Sequence, residues 1–176
     1  DCIDCGAGTY STAGSDAQSD CLDCAVGKYS EAAAIDQSGC IECAVGKYVD
    51  VTGSDNATDC IPCVAGKYVE ATGSDDAWDC IDCVVGKYVD VAGSDHAGDC
   101  IDCAAGQYGH AGSPTSWCSG NCSAGEYSEP GAYNCTTCVA GRYSGSAAPE
   151  CILCPNGKYG QGRSAPSACT GPVADT

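Results

Sequence analysis

One cysteine spacing recurs along this chain and limits what it can fold into. The word Cys-x-x-Gly-x-Tyr opens at Cys5, Cys24, Cys43, Cys63, Cys83, Cys103, Cys122, Cys138 and Cys154. Its tyrosines are Tyr10, Tyr29, Tyr48, Tyr68, Tyr88, Tyr108, Tyr127, Tyr143 and Tyr159. Most of these words have another cysteine three residues upstream, making a Cys-x-x-Cys step, with Ile3, Leu22, Ile41, Ile61, Ile81 or Ile101 beside it. The repeat is 19 to 20 residues long as far as Cys103 and then shortens, with the irregular step Cys118-Ser-Gly-Asn-Cys122 marking the change. Self-similarity at so short a period means an array of stacked units, each too small to bury a core alone.

Inside a unit, Gly-x-Tyr leads into an alternation such as Tyr48-Val-Asp-Val51, the pattern of a short strand. A turn follows, spelled Gly-Ser-Asp at Gly14, Gly53, Gly73 and Gly93. Glycine there permits positive φ, and Ser or Asp side chains bond the local backbone. Helical periodicity is absent.

Apolar burial cannot hold such units together. Ile, Leu and Val number 7, 2 and 12 in 176 residues, Phe is missing, and the net charge is −17, which ordinarily describes a disordered chain. With 19 cysteines, cross-linking is the one source of order abundant enough. Cys-x-x-Cys pairs about 16 residues apart also spell a zinc ribbon. Zinc takes two pairs per ion, however, and these pairs run in an unbroken series with no grouping into fours. Three Asn-x-Ser/Thr sequons, at Asn56, Asn121 and Asn134, point instead to the secretory route, where disulfides persist. Disulfides are the preferred reading and zinc the lesser one. A redox role for any Cys-x-x-Cys needs a strand–helix setting that is missing.

The repeat restricts the connectivity, because the second Cys of each pair can bond the first Cys of the next. That gives Cys5–Cys21, Cys24–Cys40, Cys43–Cys60, Cys63–Cys80, Cys83–Cys100, Cys103–Cys118, Cys122–Cys135, Cys138–Cys151 and Cys154–Cys169. Cys2 is left over and is expected to close a unit upstream or to bridge another molecule, as in a segment cut from a longer array. Each bridge contributes about 3 kcal/mol by restricting the unfolded chain. The expected fold is therefore small, disulfide-rich and mostly β or irregular, with little or no helix. It is an elongated rod of about nine two-stranded units, each touching only its neighbours. Regular repeats span residues 1–117, shorter irregular ones 118–169, and a tail 170–176.

Repeated in tandem, Cys-x-x-Cys-x-x-Gly-x-Tyr resembles the ephrin-receptor-like cysteine-rich repeats, relatives of the short modules in tumour-necrosis-factor-receptor ectodomains. The resemblance covers residues 2–169 and is clearest in CAVGKYSEAAAIDQSGCIEC, residues 24–43. It implies an extracellular or cell-surface, disulfide-laddered stalk of the kind found in receptors and in large secreted glycoproteins. It speaks to architecture before role. The step at Cys118 and the short loops after it depart from the pattern.

The motif tyrosines are expected to pack over the neighbouring disulfide and its aliphatic residue. Lys28, Lys47, Lys67, Lys87, Arg142 and Lys158 precede six of them and are expected to point outward beside acidic neighbours. Carboxylates recur in pairs at Asp16 and Asp20, Asp55 and Asp59, Asp75 and Asp79, and Asp95 and Asp99. Such pairs are weak calcium candidates, since no EF-hand or nonapeptide calcium motif accompanies them, and turn capping is the preferred account. His96 and His110 stand alone, and no nucleophile–base pair or other catalytic constellation is visible. Asn56 holds the turn position of Ala17, Asp76 and His96, a variability that marks an exposed glycan acceptor. Asn121 and Asn134 carry a half-cystine inside their sequons and are expected to be poorer acceptors.

Seven Lys and Arg against 24 Asp and Glu exclude a phosphate-binding surface for nucleic acid and argue against anionic lipid. Nothing at Asp1 resembles a leader, and no apolar run approaches the ~20 residues of a membrane span, so direct membrane insertion is not expected. Near-identical consecutive units favour a structural extracellular glycoprotein, a segment of a fibre, stalk or appendage such as a flagellar hair. It would need no cofactor, carry N-linked glycans, and meet further copies or repeats of itself head to tail. The alternative is a ligand-binding or adhesion ectodomain stalk, with its site in the irregular stretch from His110 to Tyr133, where Pro114, Trp117 and Pro130 fall. Non-reducing peptide mapping should recover Cys24 joined to Cys40 without stoichiometric zinc. Recovery of Cys5 joined to Cys24 would overturn the ladder.

Overall fold

The computed structural model describes residues 5–12, 14, 16–32, 34–111, 118–156, 158 and 169. The chain forms two compact units, Asp1–Asp82 with Val91–Asp99, and Cys83–Asp90 with Cys100–Thr176. Nine cystines close the repeats, numbered 1 to 9 here: Cys5–Cys21, Cys24–Cys40, Cys43–Cys60, Cys63–Cys80, Cys83–Cys100, Cys103–Cys118, Cys122–Cys135, Cys138–Cys151 and Cys154–Cys169. Their Cα–Cα separations are 5.5 to 5.7 Å. Cys2 and Tyr159 lie outside the described residues.

Repeat 3 shows how the word is used. After Cys43 the chain makes a four-residue turn in which the Lys47 N–H donates to the Ala44 carbonyl at 3.2 Å. Lys47–Tyr48 then pairs antiparallel with Ile61–Pro62, Tyr48 opposite Ile61, and the Cys63 N–H closes the ladder on the Gly46 carbonyl at 2.8 Å. Eight such two-stranded sheets occur among the described residues. In repeats 1 to 5 the connecting loop ends in a single 3-10 turn: Gln18–Asp20, Gln37–Gly39, Ala57–Asp59, Ala77–Asp79 and Ala97–Asp99. No α-helix occurs among the described residues. The short loops of repeats 7 and 8, whose cystines join residues 13 apart, carry no such turn.

The strands are shorter than the alternation predicts. Strand structure stops at Tyr48, and Asp50 and Val51 are both exposed. The reason lies in Val49, whose N–H donates to the Ser74 carbonyl of repeat 4 while its carbonyl accepts from Gly27 of repeat 2. Its backbone groups bond between repeats, which leaves none for its own hairpin. Its side chain is 1% exposed and packs with Cys43 and Cys60, with Tyr29 of the preceding repeat against them. Repeat 4 is built alike from Cys63, Val69 and Cys80, with Tyr48 of repeat 3 laid over them. In these two repeats the core is thus a cystine and a valine, lidded by the tyrosine of the repeat before.

From repeat 2 to repeat 8 the residue after the motif tyrosine is its hidden counterpart. Ser30, Val49, Val69, Val89, Ser128 and Ser144 are all buried there. At Gly109 a Cβ would stand 2.7 Å from the Cys103 sulfur. The space is set by the cystine beneath, which is why only small or β-branched residues occur.

Contacts also reach beyond the adjacent repeat, contrary to the nearest-neighbour expectation. A Cβ on Gly27 of repeat 2 would lie 2.2 Å from the Gly73 carbonyl oxygen of repeat 4. The same 2.2 Å separates Gly8 from Gly53 and Gly46 from Gly93. Absence of a side chain lets backbone touch backbone two repeats away, and Gly27 also needs its φ of +77°. Gly141 has a φ of +82° with nothing within 4 Å of its hypothetical Cβ. Gly141→Ala should therefore cost about 1 kcal/mol, and Gly27→Ala about 2–4 kcal/mol from the same strain plus a backbone collision. Thermal unfolding of the disulfide-intact variants measures both, and equal losses would show that the close approach is immaterial.

Candidate functional site

The exposed face of each long repeat is its acidic turn, and the backbone explains its composition. In repeat 3, Asp59 Oδ2 accepts from the N–H groups of Asp55 (3.0 Å) and Asn56 (3.1 Å). Asp20 serves Asp16 and Ala17 in the same way, Asp79 serves Asp75 and Asp76, and Asp99 serves Asp95 and His96. The residue opening the turn bonds forward as well. Asn56 Oδ1 accepts from Thr58 N–H at 2.9 Å, Asp76 from Trp78 at 2.9 Å, Asp36 from Ser38 at 2.8 Å, and His96 Nδ1 from Gly98 at 2.8 Å. These are capping geometries, in which a side-chain oxygen or nitrogen satisfies N–H groups that the short 3-10 turn leaves open.

The paired aspartates thus divide into two roles. Asp59, Asp79 and Asp99 are caps, whereas Asp55, Asp75 and Asp95 take part through their N–H groups and stay exposed. Among the described residues no group of three or more His, Cys, Asp or Glu is arranged to hold a metal ion. His96 belongs to the cap, with Nε2 lying 3.8 Å from Glu70 of repeat 4, whose Oε1 also accepts from Ala97 N–H. His110 packs edge-on to Tyr108, ring centroids 5.5 Å apart.

All three sequon asparagines are exposed. Asn56 opens a turn whose Thr58 hydroxyl also donates to Asn56 Oδ1 at 2.9 Å, drawing the two recognition residues together. Asn121 differs, being in a strand and accepting from Gln107 Nε2 at 3.1 Å. Its neighbour Cys122 is buried, while Asn134 precedes the half-buried Cys135.

Three cations lie across their hairpins from carboxylates, whereas Lys47 faces Pro62 and Arg142 faces Leu153. Lys28 meets Glu42 at 3.4 Å, Lys67 meets Asp82 at 2.7 Å and Lys87 meets Asp102 at 2.8 Å, all half-exposed pairs that add little stability. The acid between the cysteines has a second contact that sequence reading passed over. Glu42 of repeat 2 accepts from the Thr72 hydroxyl of repeat 4 at 2.6 Å, and Asp23 of repeat 1 stands 3.5 Å from that of Thr52 in repeat 3. Recurrence of an acid at that place, in Asp23, Glu42, Asp82 and Asp102, is the signal that could have revealed it.

Of the surface depressions among the described residues, one is lined by Arg142, Glu150 and Val139 on the repeat 8 hairpin, and two others bear on the candidate sites. One, in repeat 4, is an open groove of about 430 Å³ lined by Val69, Ala71 and Ile81 with Glu70, Asp75 and Asp79. Trp78, in the same turn, is 90% exposed. The other lies in the stretch singled out as irregular and is lined by Tyr108, His110, Asn121, Glu126 and Asn134. Pro114 and Trp117 fall outside the described residues, and Pro130 sits in the loop whose Gly131 N–H donates to the Cys103 carbonyl.

Residues 8–60 match the family described as tyrosine-protein kinase ephrin type A/B receptor-like. The match runs from Gly8 of the first repeat to the closing cysteine of the third, and the cystine-closed unit recurs beyond it to Cys169. Matched segment and disulfide ladder together fit a cysteine-rich repeat family of extracellular type. A comparison with curated proteins finds no match. No helix among the described residues is long and apolar enough to cross a membrane.

The Glu42 link has a titration signature. Donation from the Thr72 hydroxyl, aided by Lys28, holds the Glu42 carboxyl below its ordinary range. A depressed carboxylate stabilises the fold fully above its unfolded value, and that contribution disappears as the pH falls through the folded value. Thr72→Val should move the Glu42 midpoint upward, and carbon-detected NMR titration follows it. An unmoved midpoint would mean that the two repeats are not joined there in solution.

Proposed function

We propose that the chain is a structural extracellular glycoprotein whose ephrin-receptor-like repeats form a disulfide-laddered rod within a fibre, stalk or surface appendage, such as a flagellar hair or similar filament. The observation that carries this reading is a backbone bond repeated from one repeat to the one before it. The Gly53 N–H donates to the Cys24 carbonyl at 2.9 Å, Gly73 to Cys43 at 2.9 Å, and Gly93 to Cys63 at 2.7 Å. In the second unit Gly131 donates to Cys103 and Ala147 to Cys122, both at 2.8 Å. Repeats joined through main chain can be added without end, because no side chain specific to one position is needed. Partners on this reading are further copies or further repeats, head to tail, with Cys2 bridged at such a junction. Asn56 carries a glycan before Asn121 or Asn134, the protein is not an enzyme, and it uses no cofactor, calcium being only the lesser alternative at Asp55, Asp59, Asp75, Asp79, Asp95 and Asp99.

One observation favours an adhesion or receptor stalk as the second reading. The depression beside Tyr108, His110 and Glu126 lies where the repeat is least regular, and ligand sites need a unit unlike its neighbours. Negative-stain microscopy of the purified glycosylated chain separates the two. Rods on the order of 100 Å, at ~10 Å per packed layer, that join end to end are expected. Compact particles that never associate would overturn the structural reading.

A further inference from the structure

Repeat 4 is the one long repeat that displays a large aromatic side chain in its turn. Trp78 stands where Ser38, Thr58 and Gly98 occur in sister repeats, and it is 90% exposed. Beside it runs the groove with apolar walls, Val69, Ala71 and Ile81, and the acidic rim, Glu70, Asp75 and Asp79. An apolar trough rimmed by carboxylates, with an exposed indole in the same turn, suits an occupant that is both apolar and cationic.

The repeat 8 hairpin carries that chemistry, and in repeat 3 Lys47 likewise faces Pro62 rather than an acid. In repeats 2, 4 and 5 the second strand reads Ile41–Glu42, Ile81–Asp82 and Ile101–Asp102, and its acid neutralises the lysine opposite. In repeat 8 it reads Ile152–Leu153, and Arg142 faces Leu153. Ile152 and Leu153 are 54% and 65% exposed, Arg142 across the strands is exposed with one guanidinium nitrogen donating to the Cys151 carbonyl at 2.8 Å, and Lys158 is exposed five residues after Leu153. Residues 151–174 contain Lys158 and Arg163 and no Asp or Glu, in a molecule of net charge −17.

We propose that the groove of repeat 4 receives the repeat 8 hairpin of a second copy, with Leu153 and Ile152 against Val69, Ala71 and Ile81, and with Arg142 and Lys158 on the Asp75 rim and the Trp78 face. The proposal rests on the head-to-tail reading and names its contact. Groove and hairpin are different surfaces, so each copy offers one of each and the contact does not close on itself.

Sedimentation velocity on the full chain tests it with two variants that spare the fold. Leu153→Asp restores the sister-repeat sequence opposite Arg142, and Asp75→Lys changes an exposed side chain whose residue serves the turn through its N–H. Wild type should self-associate, more weakly at high salt. Each variant alone should lose at least tenfold in association. Their mixture should form dimers that grow no further, because the Asp75→Lys chain keeps a good hairpin and the Leu153→Asp chain a good groove. If wild type and both variants assemble equally, this contact is overturned while head-to-tail assembly stands. A wild type that stays monomeric overturns both. A monomeric wild type whose tryptophan fluorescence responds to a hexa-arginine peptide assigns the groove to another cationic protein and overturns the second-copy occupant.

Discussion

The packing of repeats 3 and 4 depends on the contact between a buried cystine and the tyrosine of the preceding repeat. Tyr29 over Cys43–Cys60 and Tyr48 over Cys63–Cys80 each make a core of one sulfur bridge, one valine and one ring. No repeat could bury so little and remain folded unaided, since ordering a loop of this size costs far more than the area gained. The covalent bridge removes much of that cost from the unfolded chain, and the ring then seals the bridge from water. Because the ring comes from the repeat before, a unit is complete only when it has a predecessor.

Main-chain bonding between repeats frees the outer side chains from structural duty. The turns need caps at Asp59, Asp79 and Asp99, but the tip accepts Thr58 or Trp78 with nearly the same backbone angles at the residue that opens it. A sequon at Asn56, an indole at Trp78 and a histidine at His96 can therefore be placed in successive turns on one scaffold. Function in such a chain lies in what the tips and strand faces display. Regularity underneath makes each departure informative.

Leu153 illustrates how a departure acquires meaning only against the repeat. An exposed leucine on a surface hairpin is ordinary by itself. At a place held by Glu42, Asp82 and Asp102 in sister repeats, it exchanges the lysine's partner for apolar surface and leaves Arg142 facing no carboxylate across the strands.

Cysteine spacing alone determined the units, the two-stranded hairpins and the near absence of helix, because nine cross-links at fixed intervals leave a short loop few conformations. The tyrosine's place over a neighbouring cystine was legible as well, as the largest apolar group beside a bridge that needed covering, but that the cystine is the following one and the aliphatic partner a valine was not. Only the tertiary structure decided where the strands end, since Val49 gives its backbone to repeats on either side and local alternation carries no trace of that. It also decided the link between repeats 2 and 4. Gly27 reads in sequence as a turn glycine, whereas its second role, letting the Gly73 carbonyl approach, exists only once the stacking angle between repeats is set. Glu42 and Thr72 meet for the same reason: they are 30 residues apart, and the rotation that joins them is a property of packing that no single repeat encodes.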